Sequence, residues 1–194
     1  MSNMQAIIWF FPIVFIIHDF EEIIFIQSWI NKNRYYLSEK FPKLSKKLFP
    51  HFDNITTASF AFGVAEEFIL IIIITIISCK TNWFNLWIGL FIAFTTHLII
   101  HCFQALIIRK YVPAIVTSII FLPICINIIK SIAKVYTSNI IISYSVLGFI
   151  IMLVNLYIAH KCMDLFSKQL FRYWKFKFKL TITTYIIVIT LLLR

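Results

Sequence analysis

The sequence has few charged residues and few glycines or prolines. Asp, Glu, Lys and Arg make up 13% of its 194 residues, against about 25% in a typical soluble domain. With 3 Gly and 5 Pro, it is a poor fit to collagen, to disordered chains and to Gly-rich phosphate-binding loops. The 61% of hydrophobic residues fall in blocks of about 20 or more, which is long enough to cross a bilayer core. We therefore expect an integral membrane protein with a single domain over residues 1–194.

Cysteine and histidine are also too sparse for several familiar metal sites. The four cysteines are far apart and form no CxxC pair, which excludes a zinc ribbon or a disulfide framework. Five histidines without an HxxHH string are too few for the membrane desaturases and hydroxylases. His97 and His101 have the HxxxH spacing of a zincin, but no Glu follows the first histidine.

The positive charge is concentrated at the ends of the apolar blocks. The formal net charge of +10 would favour nucleic-acid binding in a soluble protein, but here topology and anionic headgroups account for it better. Membrane lipids are the expected partners, together with a lipid-soluble small molecule and no nucleic acid.

Apolar segments and their flanking charges predict the fold and its orientation. Five long segments and a short sixth occur at residues 6–30, 55–79, 86–108, 112–129, 140–160 and 180–193. None alternates with period two, so we predict an all-α polytopic protein with five long transmembrane helices and a short C-terminal sixth apolar segment. If the N-terminus is outside, fourteen Lys and Arg lie inside, in the segments 31–54, 109–111 and 161–179, and four lie outside. This asymmetry predicts a cell-membrane protein with cytoplasmic basic loops at 31–54 and 161–179.

Ionisable residues interrupt the first three segments near their middles. An ionisable side chain inside a membrane costs about 3 kcal/mol or more and indicates function by default. The residues concerned are His18, Asp19, Glu21, Glu22, Glu66, Glu67, His97 and His101.

Helical geometry places most of these side chains on three polar faces. At about 100° per residue, His18, Glu21 and Glu22 share one face, with Asp19 at its margin. On the third segment, His97 and His101 share another face with Gln104, and on the second segment Ser59, Gly63 and Glu66 form a small polar stripe. These faces can converge on one cavity.

The side chains that these faces bring to one cavity favour a metal ion. No Lys or Arg lies within the three segments to neutralise the acids, and mixed carboxylates and imidazoles at i,i+3 and i,i+4 are metal-ligand spacings in helical bundles. We predict one or two divalent ions, Zn or Fe, with Glu21 or Glu67 as the base that activates water. A protonated hydrogen-bonded network and a proton or cation pathway remain the alternatives. The predicted ligands are His18, Glu22, Glu66, His97 and His101.

Other polar residues are expected at the edges of this site. Arg109 and Tyr111, with Gln104, are candidates for binding the substrate, the first two by holding an anionic headgroup. His51 and His160 are expected at the interface, and Asn155 as an interhelical hydrogen-bonding residue.

The string His18-Asp19-Phe20-Glu21-Glu22 resembles the HXXEE-domain family of small multi-pass membrane proteins. The likeness extends to Glu66-Glu67, to the pair His97 and His101, and to Arg109-Lys110-Tyr111-Val112-Pro113, covering roughly residues 6–125. Family members tend to have Pro-Gly at this corner where the chain has Pro113-Ala114, so we expect its turn to differ. The resemblance implies metal-dependent chemistry in a membrane protein and brings no established reaction.

The preferred hypothesis is a metal-dependent membrane enzyme, a hydrolase or oxidase, acting on a lipid-soluble substrate. A metal- or proton-coupled transporter is the first alternative, although internal repeats and broken helices are not evident. A non-catalytic membrane protein with a structural metal is the second.

Overall fold

The computed structural model describes the backbone of residues 3–192 and the side chains of residues 7–169, 172 and 173. Over the described backbone the chain forms helices and no strand, which confirms the predicted all-α class. The helices are α1 (Asn3–Lys40), α2 (Pro42–Phe52), α3 (Thr57–Thr81), α4 (Asn85–Ile108), α5 (Ile115–Ile132) and α6 (Ser138–Leu192). Within the described residues, α3, α4, α5 and the Ser138–Gln169 part of α6 are long and apolar enough to cross a membrane. The fold is that of an integral membrane protein with four such helices.

Helix α1 extends further than the predicted segment 6–30. It continues to Lys40, and Pro42 then occupies the first turn of α2, a position that suits proline because the amide there has no helical partner. The stretch 31–54, predicted as a basic loop, is therefore the end of α1 followed by a short helix. The 38 residues of α1 exceed the length of a membrane span, but three acids interrupt its apolar stretch, so four spans are shown where five were predicted.

The predicted segments 140–160 and 180–193 belong to one helix. Helix α6 runs from Ser138 to Leu192 without a break, because no Gly or Pro occurs between residues 149 and 192. The basic stretch 161–179 is thus helical and not a loop. Residue 193 and the side chains of 174–192 lie outside the described part.

Close packing of α6 against α4 and α3 fixes the bundle. A Cβ added to Gly148 would lie 2.3 Å from the carbonyl of Gly89, so these two helices touch through their backbones. A Cβ on Gly63 of α3 would lie 2.5 Å from the end of the Met163 side chain on α6. Small residues at such crossings are typical of membrane helices, because they let backbones approach closely.

Aromatic side chains attach α1 to α4 on one side of the polar residues. Phe11 packs edge-on against Phe91 with ring centroids 5.5 Å apart, and Trp87 stacks on Phe91 at 5.0 Å. Further along the same interface, the Phe94 ring lies 5.7 Å from the His18 imidazole. The apolar contact therefore sets the register in which α1 presents His18 to α4.

The corner between α4 and α5 contains two left-handed residues. Arg109 ends α4 at φ 58°, and Ala114 precedes α5 at φ 68°. Ala114 is fully buried and adopts the conformation that favours glycine, at a cost of about 1–2 kcal/mol. The turn thus keeps a glycine-type geometry although the sequence has alanine there.

Candidate metal centre

Three histidines from two helices meet inside the bundle. His18 of α1 and His97 and His101 of α4 each place one ligand atom within 4.8 Å of the other two. The Nε2 atoms of His97 and His101 lie 3.0 Å apart, as the one-turn spacing on α4 predicts. Nitrogens bound to one tetrahedral zinc are about 3.4 Å apart, so small side-chain movements suffice for all three to share an ion. We refer to His18, His97 and His101 as the histidine cluster.

One carboxylate contacts this cluster directly. Glu22 of α1 places its Oε1 atom 3.3 Å from Nε2 of His101, while His101 is only 4% exposed. Among the described residues, His18, His97 and His101 form a mutually close ligand group, and Glu22 adjoins it through His101 alone. The cluster therefore has three imidazoles at its centre and one carboxylate at its edge.

A threonine on α5 sets the tautomer of His18. The Thr117 hydroxyl has one proton, and its neighbours Glu21 Oε2 at 2.7 Å and the Ala114 carbonyl oxygen at 3.2 Å can only accept it. The Nδ1 atom of His18, 3.1 Å from this hydroxyl, must therefore carry a proton and donate. The His18 Nε2 atom is left with a free lone pair, buried and without a hydrogen-bond partner among the described residues.

Glu21 caps the first turn of α5. Its carboxylate accepts four hydrogen bonds, from the Tyr111 hydroxyl, the amides of Val116 and Thr117, and the Thr117 hydroxyl. A carboxylate at a helix N-terminus satisfies free amides and contributes up to about 2 kcal/mol when partly buried. The structure thus places Glu21, one of the two predicted bases, in a bonded structural position between α1 and α5.

Further acids lie beside the cluster on α1 and α3. Asp19 is 5% exposed and its Oδ2 atom has no hydrogen-bond partner in the described part of the chain. Its neighbours are Glu22 of α1 and Glu67 of α3. Asp19, which the helical wheel puts at the margin of the polar face, is therefore an interior residue. Three neighbouring carboxyl groups without a described Lys or Arg partner can be neutralised by a bound cation or by protons.

Glu66 faces another helix. Its Oε2 atom accepts a hydrogen bond of 3.2 Å from Asn155 of α6. Gly63, on the same stripe of α3, packs against Met163 of α6. The predicted polar stripe on this helix therefore meets α6, and Glu66 is not among the mutually close ligand atoms of the described residues.

The predicted substrate-binding residues are separated. Gln104 and Arg109 are exposed at the end of α4. Tyr111 contacts the site through the hydrogen bond to Glu21 Oε1, at 2.8 Å. Burial, followed by this hydrogen bond, raises the pKa of Tyr111 above its usual range, so the hydroxyl stays protonated and donates.

A second histidine pair joins α2 to α6. His51 Nε2 lies 2.9 Å from His160 Nδ1, and His51 Nδ1 lies 3.8 Å from Asp164 Oδ1. We refer to His51 and His160 as the interfacial pair; Asp164 is the acid beside them. Sequence reasoning placed both histidines at the interface without predicting that they meet.

One residue of the site has no distinctive signal in the sequence. Thr117 is a neutral polar residue in an apolar helix, where such side chains are common. Only its position in the first turn after the Pro113-Ala114 corner marks it as a residue whose amide needs a capping partner. Asn155, in contrast, forms the interhelical hydrogen bond that the sequence predicts.

The fold and the site define a class: a polytopic helical membrane protein with histidines and acids gathered inside the bundle. Residues 9–128, more than half of the chain, match the family described as "Protein of unknown function with HXXEE motif". The chain belongs to this family, as its resemblance indicated. Comparison with curated proteins and with solved structures gave no match.

Proposed function

We propose that the chain is a metal-dependent membrane enzyme that acts on a lipid-soluble substrate by hydrolysis or oxidation. The histidine cluster is the candidate site for Zn or Fe. The observation that carries the proposal is the His18 imidazole, which has its Nδ1 proton donated to Thr117 and its Nε2 lone pair free, buried and near two further imidazoles. Metal-bound histidines characteristically have their second nitrogen held in this way.

Charge supports a metal over a protonated network. Asp19, Glu22 and Glu67 are neighbours, and the described ion pairs of the chain give none of them a Lys or Arg partner. A divalent cation next to neutral imidazoles offsets two of these negative charges. In a purely protonated network the free Nε2 atom of His18 would be expected to find a donor, because an unpaired buried acceptor costs about 1–3 kcal/mol.

The contacts also divide the roles among the acids. Glu22 is proposed as an exchangeable ligand that gives way to water, because it adjoins His101, and three histidines with one open or exchangeable position are typical of catalytic zinc. Glu67 is the proposed base, since Glu21 already accepts four hydrogen bonds. Glu66, bonded to Asn155, is the proposed ligand only of a second ion. A bound divalent ion would supply Lewis acidity and lower the pKa of water.

Helix α1 is proposed as a fifth membrane span, which places the histidine cluster within the bilayer. The charge asymmetry gives the orientation, with the N-terminus outside and both 31–54 and 161–179 in the cytoplasm. The exposed residues Ser38 and Ser138 test it as single cysteines in a background without the native ones. We expect an impermeant thiol reagent to label Ser138→Cys in intact cells and Ser38→Cys only after permeabilisation; the reverse pattern contradicts the orientation.

The function is tested on purified protein in lipid nanodiscs supplied with Zn or Fe. We expect one or two ions per chain by elemental analysis, and none in His18→Ala. Incubation with a total lipid extract should then give a product, detected by mass spectrometry, that is absent with Glu67→Gln although this variant keeps its metal. Wild type that retains no metal overturns the proposal, and metal without any product leaves the structural-metal alternative.

A further inference from the structure

A cavity of about 410 Å³ opens where the last third of α1 meets the α4–α5 corner. This volume falls within the range of about 300–1,000 Å³ that small-molecule sites usually have. Its lining residues are Phe25, Ser28, Trp29, Lys32, Asn33, Lys110 and Tyr111. We refer to it as the corner cavity.

The lining of the corner cavity combines positive charge with aromatic surface. Lys32 and Lys110 contribute two ammonium groups, and no Asp or Glu is among the lining residues. Lys110 is held in place, because its Nζ atom donates to Asn33 Oδ1 at 3.2 Å and lies 3.9 Å from the centre of the Tyr36 ring. An ammonium fixed in this way, beside a second one, fits a phosphate group.

The aromatic residues join the cavity to the rest of the protein. The Trp29 indole donates to the Tyr111 carbonyl oxygen, and the rings of Phe25 and Tyr111 meet edge-on at 6.1 Å. Trp and Tyr are the side chains that sit at the boundary between lipid tails and headgroups. The ligand expected in such a place is amphipathic, with a charged end and an apolar remainder.

A continuous chain of hydrogen bonds leads from the cavity to the histidine cluster. The Tyr111 hydroxyl donates to Glu21, Glu21 accepts from Thr117, and Thr117 accepts from His18. Along α1, Phe25 and Lys32 follow His18 by seven and fourteen residues, which is about 10 and 21 Å of helix. A headgroup in the cavity would therefore leave its apolar chain, and not its phosphate, beside the cluster.

We propose that the corner cavity binds the phosphate headgroup of an anionic amphiphile and that this amphiphile is the substrate class of the enzyme. The role of this amphiphile as a substrate rests on the proposed function, whereas headgroup binding itself is independent of the metal. The phosphate has two sources, a phospholipid of the bilayer or a free phosphate compound from the aqueous side.

Lipid retention after purification tests the binding. The protein is extracted from vesicles of equal parts phosphatidylcholine and phosphatidic acid into an uncharged detergent, and bound lipid is counted by native mass spectrometry. We expect wild type to retain phosphatidic acid in preference to phosphatidylcholine, and Lys32→Gln and Lys110→Gln each to lower this preference about tenfold, as expected for a hydrogen bond to a charged group.

Lys46→Gln is the matched control, because Lys46 is an exposed lysine of α2 outside the cavity lining. It should retain lipid like wild type. Lys32 has no described hydrogen bond or ring contact, so its replacement tests the cavity even where loss of the Lys110 contacts disturbs folding. Equal retention by all four proteins, or an equal loss in the control, overturns the proposal.

Two parallel measurements separate the remaining outcomes. Inorganic phosphate at millimolar concentration should not displace the retained phosphatidic acid; its displacement overturns the lipid source and indicates a free phosphate compound. Metal content is measured on the same samples. Preference for phosphatidic acid without metal contradicts the proposed function and keeps the cavity, while metal without the preference contradicts the cavity alone.

Discussion

The two groups of histidines in this protein differ in what their nitrogens contact. In the interfacial pair, one ring nitrogen of His51 is hydrogen-bonded to His160 at 2.9 Å, and the other faces the Asp164 carboxylate at 3.8 Å. In the histidine cluster, the Nε2 atom of His18 is buried and has none among the described residues. Partly exposed histidines whose nitrogens have polar neighbours hold helices together, whereas a buried, oriented and unsatisfied imidazole is prepared for a ligand. The comparison teaches that the proximity of histidines alone does not distinguish a structural contact from a binding site.

The largest expected effect separates the two groups by metal affinity. His97→Ala and His101→Ala each remove a proposed ligand and should weaken binding by more than about 100-fold, since even the loss of a partner of a ligand costs about 10–100-fold. His51→Ala should leave affinity unchanged and cost only about 1 kcal/mol of stability through its lost hydrogen bond. Titration with a competing chelator measures both. Equal losses from the two groups would remove the distinction.

The next effect concerns the orientation of His18 by Thr117. Thr117→Val keeps the shape and removes the hydroxyl, so metal affinity should fall about 10–100-fold. Thr117→Ser, which keeps the hydroxyl, should remain within a few-fold of wild type. The same chelator competition applies, and a serine variant as weak as the valine variant would assign the effect to packing.

A smaller effect distinguishes Glu22, which adjoins the cluster, from Glu66, which faces α6. Glu22→Gln should lower metal affinity about tenfold and reduce the thermal stabilisation by metal, because only an ionised carboxylate balances the cation. Glu66→Gln should be close to wild type, since its amide oxygen still accepts from Asn155. Melting in detergent with and without chelator gives the comparison. A Glu66→Gln variant that loses its response to chelator would show that Glu66 belongs to the first ion.

The smallest effect tests the α4–α5 corner, which supports the histidine cluster and not the interfacial pair. Ala114→Gly removes the cost of about 1–2 kcal/mol that alanine has in a left-handed conformation. It also makes the unfolded backbone more flexible, which destabilises the fold by about 0.5–1 kcal/mol. The net stabilisation should raise the melting temperature by about 1–3 °C. Ala133→Gly, at a right-handed position after α5, is the control and should not stabilise. A lower melting temperature for Ala114→Gly would indicate that the methyl group is needed for packing.

The sequence predicts the members of the histidine cluster better than their arrangement. An ionisable residue in an apolar segment is conspicuous, and one helical turn puts His97 and His101 on one face. The face of α3 that meets α1 depends instead on how closely α6 approaches Gly63, which is a tertiary property. Thr117 escapes prediction for a related reason, because its partner Glu21 is 96 residues away.

The positions of the helix ends are also hard to predict from the apolar pattern of the sequence. Apolar content marks where a segment can lie in a bilayer, but a helix ends where its backbone is interrupted. Pro42 therefore ends α1 soon after Lys40, well beyond the apolar stretch. With no Gly or Pro between residues 149 and 192, nothing in the sequence stops α6 when the charge begins at Lys161.

The capping of α5 by Glu21 has a consequence for the biogenesis of the protein. Helix α1 leaves the ribosome before α5, so Glu21 is made before the residues of α5 that will contact it. The amides and hydroxyl that bind Glu21 arrive 95 and 96 residues later. If α1 spans the bilayer as proposed, Glu21 carries an insertion penalty of about 3 kcal/mol until its partners arrive. The nascent α1 is then a poor membrane segment by itself, and α5 removes the part of this penalty that is due to Glu21.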